Sequence, residues 1–85
     1  MKFKDIKFKK NNWGNWVSST ELPSGTTLSV VAGAGLYCTP KMNLDTYKKY
    51  TTFEVALLKD GEFIESEVRG WQDKEEIDAI IKEFS

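Results

Sequence analysis

Histidine is absent from the 85 residues, and with it go His-dependent catalytic triads, His-ligated zinc and imidazole general bases. Cysteine occurs once, as Cys38, which excludes an internal disulfide and a thiolate zinc site. No imidazole is available to activate that thiol, and Lys41 is the one cation within three residues of it in sequence. Cys38 therefore reads as a small buried hydrophobe. Apolar runs are only a few residues long, far from the ~20 needed to cross a bilayer. The Lys-rich opening MKFKDIKFKK is not followed by the apolar stretch of a secretory signal. The expectation is a cytoplasmic protein with no membrane contact. There is no surplus of either charge: 12 Lys+Arg against 13 Asp+Glu leave −1. A sequence pI of 5.4 argues against a dedicated DNA-binding domain, whose pI would exceed ~9.

What is present suits one small domain, residues 1–85, with a single core. A hydrophobic content of 40% is too high for a disordered tail. The near-neutral total conceals a division. Residues 1–50 carry eight lysines and three acids, or +5, and residues 51–85 carry four bases and ten acids, or −6. Such a molecule can dock on an oppositely charged patch or on its own copies.

Local patterns predict a sheet and one helix. In residues 1–10, Met1 and Phe3 fall on one parity and Ile6 and Phe8 on the other, which fits a strand bulged near Asp5 or a helical turn. Trp13–Ser19 reads as a weak strand, Glu21–Gly25 as a turn, and Thr26–Ala32 as a strand alternating Leu28, Val30 and Ala32 against Thr27, Ser29 and Val31. Gly33-Ala34-Gly35 bends or bulges the chain, Leu36–Cys38 can continue the strand, and Pro40 ends the pairing. Lys41–Tyr50 is a polar loop or a single helical turn. Thr51–Lys59, Asp60-Gly61 and Glu62–Val68 form a hairpin signature, because a type I′ turn needs φ > 0 at both central residues. Gly70 ends the return arm. Asp73 and Glu76 have capping-box spacing, and Ile77, Ile80, Ile81 and Phe84 make one apolar stripe of a final helix. The expected fold class is α+β: an antiparallel sheet of about four strands with one C-terminal helix packed on a face.

Few of these features offer chemistry. Glu62, Glu65 and Glu67 read as a solvated strand face, with nothing apolar to split two carboxyl pKa values. Gly33-Ala34-Gly35 lacks the Lys-Ser/Thr pair and following helix of a phosphate loop. The aromatic rings have two uses. Trp13, Trp16 and Tyr37 suit a small core, most clearly Trp16 and Tyr37, which lie in apolar runs; Trp71 suits a displaced staple against Ile77. Tyr47 and Tyr50 flank Lys48-Lys49 and fit core or surface alike. Interleaved aromatic and basic side chains are also interface anchors and nucleic-acid platforms. The candidate contact set is Tyr37, Lys41, Tyr47, Lys48, Lys49 and Tyr50. No catalytic residue, metal ligand or cofactor is assigned.

The segments Gly35–Lys41 (GLYCTPK), Tyr50–Leu58 (YTTFEVALL) and Gly70–Ile77 (GWQDKEEI) resemble a loose class of small phage and prophage accessory proteins, over roughly residues 28–84. The resemblance implies an accessory product of a mobile element that works in the host cell by binding a host protein, including inhibition of a host defence protein; the lack of a catalytic constellation adds the expectation that it is not an enzyme. The resemblance supplies no site residues. Two alternatives remain open. One is a nucleotide-sequestering protein using Gly33–Gly35 and the aromatics, with a homo-oligomer interface as one place for the ligand, and the other is a weak single-stranded nucleic-acid binder.

Overall fold

The two clearest alternating segments lie side by side at the centre of an antiparallel sheet in a computed structural model, which describes residues 1–85. The strands are β1 (Lys9–Lys10), β2 (Trp16–Glu21), β3 (Thr27–Ala32), β4 (Phe53–Lys59), β5 (Glu62–Phe63) and β6 (Arg69–Gln72). They run in the order β1-β2-β3-β4-β5, with β6 also paired to β4. A single helix, α1 (Lys74–Phe84), follows. The architecture is the expected α+β one, with six strands where about four are predicted, two of them only two residues long.

Period-two alternation fixes which face is covered. Val30 pairs with Val55 and Leu28 with Leu57, and all four are buried together with Ala32 and Phe53. Ile77, Ile80 and Ile81 of α1 close this face and share its core. The capping box forms as the spacing requires: Asp73 accepts from the Glu76 amide at 2.8 Å, and Glu76 accepts from the Asp73 amide at 3.0 Å. At the β4–β5 turn, Asp60 and Gly61 both have positive φ, 54° and 81°, as a type I′ turn demands.

Of the two readings left open for the opening residues, the helical turn is the one formed: residues 3–5 make a 3-10 turn with Phe3 and Ile6 buried, and pairing begins only at Lys9. Three expectations need correction. β2 starts at Trp16, because Asn11–Gly14 form a turn held by the Asn11 side chain, which accepts from the Trp13 and Asn15 amides. Residues 33–38 do not extend β3; they turn away from the sheet and return only for an isolated bridge between Thr39 and Thr52. The return arm is not continuous over 62–68. Glu62 and Phe63 pair with Lys59 and Leu58, residues 64–68 leave the sheet, and Arg69 and Gln72 rejoin opposite Val55 and Phe53. Gly70 thus lies inside a strand instead of ending one.

Candidate contact surface

The predicted Tyr–Lys loop is divided by the fold. Tyr47–Lys49 is the single helical turn allowed for in the sequence, here of 3-10 type. It points both flanking tyrosines inward. Tyr50 is 1% exposed; its hydroxyl donates to the Met42 carbonyl at 2.8 Å and accepts from the Leu44 amide at 3.0 Å. Burial pushes this phenol above its ordinary pKa. Tyr47 is half-buried, stacked on Phe8 at 4.5 Å and edge-on to Trp16 at 5.9 Å. Both are packing residues, so Tyr50 leaves the contact set and Tyr47 offers little to a partner. Lys48 and Lys49 stay exposed. They border a shallow groove with Lys74 and the acids Asp73 and Glu75 at the start of α1, and Lys49 pairs with Asp45 at 3.0 Å. That contact lowers the Asp45 pKa, chiefly through the Lys49 hydrogen bond.

Tyr37, which suited the core as well as the contact set, and Trp71, expected as a staple against Ile77, are both on the surface. They are 44% and 54% exposed, and their rings lie 5.0 Å apart and tilted by 32°. The Lys41 ammonium sits 5.0 Å from the Tyr37 ring centre, within cation–π range. The backbone builds this platform at some cost. Trp71 occupies the left-handed region at φ 53°, a conformation that costs a side-chain-bearing residue about 1–3 kcal/mol. Its amide donates to the Tyr37 carbonyl at 2.9 Å. A Cβ at Gly70 would meet the Tyr37 Cβ at 2.9 Å, so only glycine allows this approach. The Tyr37 amide donates to Glu54 Oε1 at 3.1 Å. Arg69, beside Gly70, holds Glu65 through two hydrogen bonds of 2.9 and 2.6 Å. Those bonds, more than the charge alone, depress the Glu65 pKa.

Trp13 is likewise outside the core, at 76% exposure, while Trp16 is half-buried with its indole N–H on the Leu44 carbonyl at 3.0 Å. Sequence reasoning passed over Asn43. Its side chain accepts from the Ala34 amide at 2.9 Å and donates to the Trp13 carbonyl at 3.0 Å, tying two turns together. Nothing in the spacing marks it; a lone Asn in a polar loop carries no periodic signal. The Gly33–Gly35 turn uses its donors internally: Gly33 N–H faces Cys38 Sγ at 3.3 Å, Ala34 N–H binds Asn43, and Leu36 N–H binds the Gly33 carbonyl at 3.2 Å. Those three amides are not free to cradle a phosphate. Side chains of metal-ligating type nowhere gather in threes, and no helix is long and apolar enough to cross a membrane. Compared with protein-family models, curated proteins and solved structures, the chain matches none.

Proposed function

We propose that this chain is a non-enzymatic binding protein, an accessory factor of the phage kind its sequence resembles, and that it engages a host protein through Tyr37, Trp71 and Lys41. The observation that carries this reading is the pair of exposed rings held by a left-handed Trp71 and an obligatory glycine at position 70. Packing alone gives no reason to retain a strained backbone under a solvent-exposed indole. A rigid aromatic pair with an adjacent cation has the composition of an interface hot spot, and its orientation is fixed before a partner arrives. The host-defence target rests on the resemblance alone, and the exposed platform supports the reading of a binding protein.

The experiment is an affinity capture from bacterial host lysate with the tagged full chain, repeated with Trp71→Ala and Lys59→Ala. A specific protein retained by the parent and by Lys59→Ala, but lost with Trp71→Ala, is expected. Capture that ignores Trp71, or no partner at bait concentrations well above micromolar, overturns the reading.

A further inference from the structure

Opposite the face covered by α1, the sheet presents a second face of exposed and half-buried side chains, met at β4 by the Tyr37 loop through Glu54. Strand register arranges it in rows. Lys9, Val17, Val31 and Glu54 form one row across β1 to β4. Ser19, Ser29 and Ala56 form the next, and Glu21, Thr27 and Leu58 the third. The middle row is small enough for another sheet to approach closely. The first row has a lysine at one end and a glutamate at the other, and neither makes an ion pair within the chain.

We propose that the occupant of this face is a second copy of the same chain, packed sheet on sheet about a two-fold axis parallel to the strands between β2 and β3. That axis exchanges left and right within each row. It sets Lys9 against Glu54 of the partner, twice, and Val17 against the partner's Val31, while the two serine–serine strips meet at the centre. The other face-to-face two-fold, perpendicular to the strands, would set Glu54 over the partner's Leu58 and Glu21 over its Val17, stranding charge on apolar surface. Charge complementarity therefore selects one arrangement, and the interface closes at two copies because both use the same patch. Three strands of about six residues and the two-residue β1, spaced at about 4.8 Å and rising about 3.3 Å per residue, give a face of about 320 Å². This is less than half the roughly 800 Å² per partner of a standard stable interface. The dimer is accordingly weak and concentration-dependent. The patch meets the Tyr37–Trp71 platform at Glu54, whose carboxylate accepts from the Tyr37 amide at 3.1 Å, so Lys9→Glu, away from that contact, tests the dimer independently of the proposed host partner.

The test is sedimentation velocity on the full chain from about 5 to about 500 µM, a range chosen for a weak interface. Parent protein should pass from monomer to dimer. Lys9→Glu alone, or Glu54→Lys alone, should raise the midpoint concentration at least about tenfold, since each creates two like-charge contacts. An equimolar mixture of the two variants should recover the parent midpoint, because each variant then supplies the charge the other lacks. Glu54 also holds the Tyr37 amide, so circular dichroism checks that variant's fold. If it fails, Lys9→Glu carries the test, lying on an exposed two-residue edge strand. A parent that stays monomeric throughout, or a Lys9→Glu chain that dimerises like the parent, overturns the proposal, as does a mixture of folded variants that remains monomeric.

Discussion

The Tyr50 hydroxyl bridges the Met42 carbonyl and the Leu44 amide from inside the core. Tyr50→Phe leaves a carbonyl and an amide without that partner while keeping the ring. A loss of about 1–2 kcal/mol is expected, read as a lower urea midpoint or a fall of roughly 4–8 °C in melting temperature per kcal/mol. Trp71 behaves in the opposite way. Trp71→Gly relieves a left-handed backbone costing about 1–3 kcal/mol, loses a ring pair worth about 0.5–1.5 kcal/mol and adds about 0.5–1 kcal/mol of chain entropy to be lost on folding. Stability should therefore stay within about 1 kcal/mol of the parent, by urea unfolding, whereas partner capture should vanish. A Trp71→Gly chain that melts far below the parent would mean that this indole is structural.

Helix α1 shows how well a local pattern reports an element when several independent signals agree. The N-cap, the capping box and the isoleucine stripe all occur where spacing places them. Asp73→Ala should cost about 1 kcal/mol in urea unfolding. Ile80→Asp should leave the chain unfolded at room temperature by circular dichroism, because an unpaired carboxylate would enter a site only 3% exposed. The β3–β4 pair was equally legible, since alternation names the buried face. The return arm misled because its alternation over 62–68 carries no mark of where hydrogen bonding stops. The last bond to β4 runs from the Ile64 amide to the Leu57 carbonyl at 3.0 Å, and the chain rejoins at Arg69, where Glu65, Glu83 and Phe84 hold the guanidinium. Aromatic placement was the least legible feature. Long-range contacts decide Tyr50, which fitted core or surface alike, and move Trp71 from its expected place against Ile77: the Met42–Leu44 loop wraps one hydroxyl, and Gly70 closes on Tyr37 beside the other ring. Neither contact leaves a trace in sequence spacing.

At the scale of the whole molecule, the charge division along the chain is partly undone by folding. The basic opening segment lies against the acidic helix, where the Phe3 amide donates to Asp78 at 2.6 Å and the Lys74 ammonium covers the Phe3 ring at 5.7 Å. The absence of histidine acts at this scale too. No side chain has an ordinary pKa between about 5 and 8, so the urea midpoint should be flat across that range. On acidification it should fall. Hydrogen bonds from Arg69 hold the Glu65 carboxyl below its ordinary pKa. Its contribution is therefore complete above the unfolded value of about 4.3 and is lost as pH drops through the lower folded one. Glu65 is partly exposed, which keeps the effect within about 1 kcal/mol, and Glu65→Gln should reduce it. A midpoint that moves appreciably between about pH 5.5 and 8 would contradict this account.

Cys38 is 2% exposed and closes the 33–40 loop: its sulfur accepts from the Gly33 amide at 3.3 Å, and its S–H reaches the Gly33 or Pro40 carbonyl. As the lone sulfhydryl it is also a built-in clock. A thiol reagent can reach it only when the loop opens, so its labelling rate measures the free energy of that opening. Because Tyr37 is the adjacent residue, the same opening dismantles the aromatic platform. Labelling that tracks global unfolding would place the platform in the cooperative core, whereas faster labelling would reveal it as a separately breathing unit.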